Sequence, residues 1–339
     1  MAPRILHFCK DQIASECREF DAAETRPRGI SNFQLHFDNI VSENRLKGLD
    51  PEVDGKRLRL QRLQAAKEPD KHLVPGIYTF ELWARIVEVY SNTAIINSND
   101  KLIALAGVAK WMSGFMKSDY VAGLWREHLA SQLLWRVVSV FQSHNRSFSN
   151  PSQRPSLYRA PTFSWASVDA DNGSGIIYGE VTDQDLFIEI AGVHVTTTNP
   201  ENPFGLIKDA HLKIWGKLRK IDLFEKINEK GELNGRYGWR LHGMGEDVDK
   251  EEHTNVYLDC PEQDGGLAVE GHDRDDRSRR GGIFDSNDIW CIPAAEGERA
   301  ATRESRYLIC LLLQEVKGRR LGPGTFRRIG LSKLSPWGE

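Results

Sequence analysis

The sequence lacks the features that mark secreted, membrane-spanning or metal-binding chains. Its 339 residues include only five cysteines. They stand at Cys9, Cys17, Cys260, Cys291 and Cys310. Because no Cys-x-x-Cys pair occurs among them, neither a zinc site nor a disulfide framework is indicated. The N-terminus has no apolar stretch of the signal-peptide kind. The longest apolar run, 307–313, is too short to span a membrane. These absences predict a cytoplasmic protein without a membrane span.

Excess charge and recognisable catalytic motifs are also missing. A formal net charge of −3 and a pI near 6.4 give no general attraction to nucleic acid, so no nucleic-acid partner is predicted. The chain contains no Gly-x-Ser-x-Gly elbow, phosphate-binding loop, metal-ligand spacing or internal repeat. His128 is expected to pack on a helix face. The sequence thus predicts no cofactor, no metal and no catalytic residue.

The sequence does contain one informative segment, residues 158–169, which combines a proline, aromatic residues, serines and an aspartate (YRAPTFSWASVD). Pro161 prevents a helix from running through it. Phe163 and Trp165 would lie on one face of an extended chain and anchor a core. Ser167 and Asp169 could belong to a hydrolytic site with a distant histidine. Turn formation by the serines beside a buried tryptophan is the favoured interpretation.

Before this segment the apolar spacing predicts helices. A helix is expected over 78–90, where apolar residues recur at i, i+4 and i+7. A second is expected from about Leu102 to Met112, after the capping residues 97–100. A third is expected from Asp119 to about Val138. A further helix over 56–67 is indicated by an imperfect apolar face.

After the segment the apolar period changes to two, which predicts strands. Alternation changes parity near Ala191-Gly192, which indicates a β-bulge. A strand with a basic outer face is expected over 212–218, and further strands over 256–258, 289–292 and 325–331. Residues 307–313, apolar on both faces, are expected to form a central strand. The fold class predicted is α+β: a helical N-terminal half, then a mostly antiparallel, barrel-like β domain.

Several segments resemble the region downstream of the HET domain in fungal heterokaryon-incompatibility proteins. The central segment resembles the family signature Arg-Ala-Pro-Ser-Trp-Ser-Trp-Ala-Ser-Val-Asp, although Thr162 and Phe163 replace its first Ser and Trp. The ending Phe-Arg-Arg-Ile-Gly also resembles the family, as do residues 98–109, 119–126 and 132–135. The motif positions that carry the resemblance are Arg159, Pro161, Ser164, Trp165, Ser167, Asp169, Phe326, Arg327, Arg328 and Gly330.

The resemblance, the apolar spacing and the local composition together divide the chain. Residues 1–28 would be a remnant of the end of a HET domain, 29–141 a helical region and 142–157 a linker. Residues 158–332 would form the β-rich domain, with a mobile acidic loop at about 243–280. Because the segments that open a HET domain have no counterpart here, the chain is expected to be N-terminally truncated.

The resemblance also implies a role in fungal non-self recognition and incompatibility-linked cell death, with protein partners. One hypothesis is a regulatory or interaction region. A second makes the chain part of an NAD-cleaving, TIR-like enzyme whose catalytic domain is missing. A third is a vestigial fragment without function.

Overall fold

A computed structural model describes residues 4–8, 13–17, 21–24, 76–93, 98–142, 147–170, 175–179, 181–227, 233–243, 252–265, 282–299, 306–316 and 324–334. The chain divides into two compact units: Met1–Val89 with Gly114–Met116, and Tyr90–Ser113 with Lys117–Glu339. The predicted helix at 56–67 lies outside the described residues.

The chain opens with a small antiparallel sheet, of strand order β1-β2-β3. Its strands are β1 (Arg4–Phe8), β2 (Ile13–Cys17) and β3 (Asp21–Ala23). Two longer helices follow, α1 (Ile77–Ser91) and α2 (Lys101–Met116), so the first two predicted helices are confirmed. Helix α2 ends where Lys117 adopts a left-handed conformation (φ 51°) and donates its N–H to the Ser113 carbonyl at 3.1 Å.

The third predicted helix is wrong. Residues 119–138 instead form the short elements β4 (Tyr120–Val121), β5 (Leu124–Trp125), α3 (Leu129–Gln132) and β6 (Arg136–Val137). Ala122 and Gly123 both have positive φ, 51° and 99°, which breaks a helix and makes a hairpin turn. Most residues from 120 to 135 are buried whatever their position in the helical period, so the apolar spacing carried no information about one helix face.

The fold is mostly β, which corrects the predicted helical N-terminal half. Strands β1 to β6 already occur before residue 138, and further short strands follow. These are β7 (Val140–Gln142), β8 (Ser147–Ser149) and β9 (Ile176–Ile177). β7 pairs with β8, and β6 pairs with β9. Beyond α2, the buried apolar residues between 120 and 137 belong to short strands, turns and one short helix rather than to a helical bundle.

The next two strands, β10 (Glu189–Thr197) and β11 (Ile207–Trp215), form an antiparallel ribbon. Its register shifts between Ile190 and Gly192, which confirms the bulge predicted at Ala191-Gly192. The ribbon is largely exposed along β11.

A six-stranded antiparallel sheet follows, of order β13-β12-β15-β16-β17-β14. Its strands are β12 (Arg219–Ile227), β13 (Leu233–Leu241), β14 (Val256–Leu258), β15 (Ile289–Arg299), β16 (Arg306–Glu315) and β17 (Phe326–Leu334). The strands predicted at 256–258, 289–292, 307–313 and 325–331 are therefore confirmed. β16 lies between β15 and β17, as its two apolar faces predicted.

The two outer strands of this sheet come together. Trp239 of β13 exchanges two backbone hydrogen bonds with His253, just before β14, at 3.0 and 2.9 Å. The Trp239 indole also donates to the Ser332 hydroxyl of β17 at 3.0 Å. The sheet thus closes into the barrel-like arrangement that was predicted. Its core includes Ile221, Leu223, Tyr237, Leu258, Ile289, Cys310, Leu312 and Ile329.

Two segments predicted to be loops contain regular structure in their described parts. Residues 147–157, in the predicted linker, contain β8 and the buried side chains of Asn150 and Ser152. Much of the predicted acidic loop lies outside the described residues. Its described part, 252–265, contains β14 and the short helix α4 (Pro261–Asp264). Among the helices of the described residues, none combines the length and apolarity needed to cross a membrane.

Candidate functional site

The central motif forms a tight turn. The Ser164 N–H donates to the Pro161 carbonyl at 2.9 Å, and the Ser167 N–H donates to the Ser164 carbonyl at 3.0 Å. The Ser164 hydroxyl caps a single 3-10 turn (Trp165–Ser167) by accepting the Ala166 N–H at 3.1 Å. The turn formation predicted from the serines is confirmed.

Trp165 lies at the centre of the packing around this turn. Its side chain is completely buried, and its indole N–H donates to the Gly123 carbonyl at 2.8 Å. Its ring meets the edge of Tyr90 at a centroid distance of 6.1 Å. The predicted burial of Trp165 is confirmed. The shared face predicted for Phe163 and Trp165 is wrong, because the chain turns between them rather than running extended.

The β4–β5 hairpin fits closely against this turn. The Ser164 hydroxyl donates to the Ala122 carbonyl at 2.5 Å. A Cβ on Gly123 would lie 2.9 Å from the Trp165 Nε1 atom, and the residue has a φ of +99°. Glycine is therefore required at position 123 by both contact and conformation.

Arg159 and Asp169 join the two ends of the motif. Arg159 donates to both carboxylate oxygens of Asp169, at 2.8 and 3.1 Å, in the bidentate geometry that suits a guanidinium. Its remaining donors reach the Ala166 carbonyl at 2.7 Å and the Ser98 carbonyl at 2.5 Å. Arg159 is 3% exposed, so this pair fixes the motif from inside the protein.

Lys101 supplies a second cation to the same carboxylate. Its buried ammonium group donates to the Val168 carbonyl and lies 3.4 Å from the Asp169 Oδ1 atom. It also lies 5.8 Å from the centre of the Trp165 ring, within cation–π range. Because Lys101 begins α2, this contact attaches the helix to the motif.

The second motif, at the start of β17, places Arg328 in the interior. Its guanidinium group donates to the Leu133 carbonyl at 2.7 Å and to the Trp135 carbonyl. It also donates to Asp259 Oδ1 at 3.2 Å. Asp259 is 0% exposed and Arg328 is 4% exposed, so the ion pair is isolated from solvent.

Arg154 connects this ion pair to the central motif. It donates to the Ser167 hydroxyl at 3.1 Å, to the Arg328 carbonyl at 3.0 Å and to Asp259 Oδ2 at 3.4 Å. A second carboxylate oxygen, from Asp264, lies 3.7 Å from the same guanidinium group. One arginine thus contacts both motifs and both acids.

The two motifs also touch directly. The Arg328 N–H donates to the Thr162 hydroxyl at 3.0 Å. Beside it, Arg327 donates to Asp264 Oδ1 at 2.7 Å. Thr162 supplies the hydroxyl that this contact uses. Residues far apart in the sequence therefore form one joint, which we call the motif joint (Arg154, Arg159, Thr162, Ser164, Trp165, Ser167, Asp169, Asp259, Asp264, Arg327 and Arg328).

The remaining motif residues of β17 have packing roles. Phe326 meets the ring of Trp290 edge-on at a centroid distance of 6.2 Å. A Cβ on Gly330 would lie 2.5 Å from the Tyr257 carbonyl oxygen, so glycine lets β14 approach β17 closely. Neither residue contributes a reactive group.

Burial sets the ionisation of the motif joint. The pKa of Asp259 is raised, because loss of water on burial outweighs the opposing guanidinium groups of Arg328 and Arg154. Burial lowers the pKa of Arg328 to about 10, which still leaves the side chain cationic at neutral pH. Burial also raises the pKa of the neighbouring Cys260 thiol. A thiol of this kind is a poor nucleophile at neutral pH.

The hydroxyl groups of the joint are not arranged for hydrolysis. The Ser164 hydroxyl donates to a carbonyl, and the Ser167 hydroxyl donates to the Ser164 carbonyl at 2.8 Å. Within the described part of the chain, the hydrogen-bond partners of these hydroxyls and of Asp169 include no histidine. A catalytic serine needs such a base, so the geometry favours a structural joint over the hydrolytic alternative.

Several members of the joint were not predicted from the sequence. Arg154, Asp259 and Asp264 resemble ordinary surface charges in the sequence, and only the fold brings them to the motifs. A separate exposed group, His194, Asp209 and His211, could hold a metal ion. In the sequence, only the Asp-x-His spacing of Asp209 and His211 points to this group. That His194 lies beside them can be recognised only when the register of β10 against β11 is known.

Comparisons of the chain with protein-family models, with curated proteins and with solved structures found no match.

Proposed function

We propose that this chain is the region downstream of the HET domain in a fungal heterokaryon-incompatibility protein. In this proposal it acts in the cytoplasm as a regulatory or interaction region in non-self recognition and incompatibility-linked cell death. Its partner is another protein. The chemistry of cell killing would then lie outside the described residues.

The observation that carries the proposal is the motif joint. Two of the segments that resemble the family, the central motif and the ending Phe-Arg-Arg-Ile-Gly, lie far apart in the sequence, yet the Arg328 backbone N–H donates to the Thr162 hydroxyl, 166 residues away, at 3.0 Å. Arg154 contacts both segments as well. Two independent chance resemblances would have no physical reason to meet, whereas one inherited structural unit requires its motifs to be complementary.

An interaction role is supported by how the joint uses its polar groups. Arg159, Ser164 and Ser167 donate to carbonyls or a carboxylate within the fold and are buried. Such groups specify a rigid arrangement but offer nothing to a substrate. We therefore infer that the motif joint holds the fold rigid and that other surfaces of the protein contact the partner.

The β10–β11 ribbon offers such a surface. Among the described residues, Trp215 has the largest exposed fraction of any large apolar side chain, 69%. Phe187, shortly before β10, is 49% exposed. Glu189 of β10 pairs directly with Trp215, which places these side chains at one end of the ribbon. Exposed aromatic residues of this kind are enriched at protein interfaces.

The proposal can be tested in fungal cells. Induced expression of the chain in a strain undergoing an incompatibility reaction should lower the fraction of fused cells that take up a membrane-impermeant dye. The reason is that free copies compete for the partner. Trp215→Ser should remove this effect while keeping the melting temperature, and Lys208→Ala on the same ribbon should preserve it. Equal dye uptake with and without the folded chain would overturn the proposal.

A biochemical measurement distinguishes the interaction role from the alternative that this chain cleaves NAD. The purified chain, incubated with NAD, should release no nicotinamide above a buffer blank. Turnover that disappears on substitution of a single exposed acid, in a variant that keeps the wild-type melting temperature, would instead place NAD cleavage in this chain.

A further inference from the structure

A second group of chemically competent side chains lies away from the motif joint, on the β10–β11 ribbon. His194 of β10 is paired directly with His211 of β11, and Thr196 is paired with Asp209. Because side chains alternate between faces along a strand, these four residues lie together on one face. The register is regular from Gly192 to Thr196, between the two shifts, so the arrangement is fixed by the strand pairing.

The three ligand-type side chains are close enough to share one ion. Single donor atoms of His194, Asp209 and His211 all lie within 4.8 Å of one another, and all three side chains are exposed. The two imidazole rings are stacked, with centroids 4.7 Å apart and an interplanar angle of 26°. In a tetrahedral zinc site with bonds of about 2.0–2.1 Å, donors are separated by about 3.3 Å. Small rotations of exposed side chains cover that difference.

Thr196 supports this use of His194. Its hydroxyl lies 3.1 Å from the Nε2 atom of His194. When the Nε2–H donates to the hydroxyl, Nδ1 carries the lone pair that a metal requires. Metal-binding histidines typically have their second nitrogen held by such a hydrogen bond. The ribbon therefore supplies three ligands and an orienting group.

We propose that His194, His211 and Asp209 form a binding site for a borderline divalent transition metal, with Zn²⁺ as the preferred ion. Two imidazoles and one carboxylate match the ligands of zinc and of its close neighbours, whereas Ca²⁺ and Mg²⁺ prefer sites made of oxygen atoms. The bound ion links β10 to β11 and leaves at least one coordination position open. This assignment does not depend on the function proposed above.

Zinc titration of the metal-stripped full chain tests the site, with a fluorescent zinc indicator as competitor. The wild type is expected to bind one Zn²⁺ at this site with a dissociation constant of about 10 µM or below. His194→Ala, His211→Ala and Asp209→Asn should each weaken that binding at least tenfold. Co²⁺ should give a visible absorption band that the two histidine variants lack.

His242→Ala is the matched control. His242 is a partly exposed histidine that pairs with Asp222 at 2.6 Å, outside the ribbon, and its loss should leave zinc affinity unchanged. Circular dichroism checks that each variant is folded. No binding by the wild type, or equal affinity in wild type, His194→Ala and His211→Ala, overturns the assignment, because any zinc bound would then be held by other residues.

Discussion

The guanidinium carbon of Arg328 lies 3.4 Å from the centre of the Trp135 ring, deep in the protein interior. The ring face attracts the cation, while Asp259 and two carbonyl groups accept hydrogen bonds from its two terminal nitrogens. A cation is therefore accommodated in the core without access to water. This contact also joins β17 to the segment at 133–135.

Removing this cation should be costly. Arg328→Met leaves Asp259 buried with one cation fewer, and breaking a buried ion pair typically costs about 3–5 kcal/mol. Urea unfolding monitored by tryptophan fluorescence measures the loss. The double variant Arg328→Met/Asp259→Asn should recover part of it, because the unbalanced charge is gone. A single variant as stable as the wild type would contradict the role given to the pair.

The raised pKa of Asp259 predicts a dependence of stability on pH. The folded protein holds this proton more tightly than the unfolded chain does. The favourable contribution of protonated Asp259 to the free energy of unfolding is therefore complete below the ordinary pKa of 3.8. It is lost as the pH rises through the pKa of the folded state. Wild type should lose stability relative to Asp259→Asn as the pH is raised from about 4 to 7. Unfolding free energies of both proteins across this range provide the check, and a constant difference would refute the shift.

Gly123 should not tolerate a side chain. Gly123→Ala places a methyl group 2.9 Å from the Trp165 indole nitrogen at a φ of +99°, so a lower melting temperature is expected, with a loss of about 1–3 kcal/mol. Gly107→Ala is the matched control in the exposed part of α2, where an added Cβ meets nothing within 4 Å. That change should stabilise the protein by about 0.5–1 kcal/mol. Equal effects of the two substitutions would argue against the close fit.

Trp165 should contribute far more stability than an exposed tryptophan. Trp165→Ala removes a fully buried ring and a hydrogen bond to the Gly123 carbonyl, with an expected loss of about 3–5 kcal/mol. Trp215→Ala, at a side chain 69% exposed, should change stability by less than about 0.5 kcal/mol. Differential scanning calorimetry of the two variants compares these losses, and similar melting temperatures would rule out Trp165 as the anchor.

Local patterns predicted the second half of the chain well because its strands are regular. The parity change at Ala191-Gly192 located a real bulge, and the doubly apolar run at 307–313 located a central strand. Between 119 and 138 the same approach failed. Most of those residues are buried, and the Ala122-Gly123 turn interrupts any helix.

The charged part of the motif joint could not be predicted in the same way. Arg328 and Asp259 are 69 residues apart in the sequence, and Arg154 is 105 residues from Asp259. Charged side chains are exposed in most proteins, so composition assigns them to the surface. Only strand order, which places β14 beside β17, brings Asp259 to Arg328. The proximity of His194 to Asp209 and His211 likewise follows from the register of β10 and β11 and could not be predicted from the sequence.

The strand order of the closed sheet also bears on how the protein folds. β14 is hydrogen-bonded to β17, about 70 residues later, and β17 in turn carries Arg328 of the motif joint. Neither the last strand pair nor the buried ion pair can form until distant parts of the chain have met. Long-range pairings of this kind slow folding. Closure of the sheet and burial of the arginine should therefore be one late event, and refolding followed by tryptophan fluorescence should report it as a single slow phase.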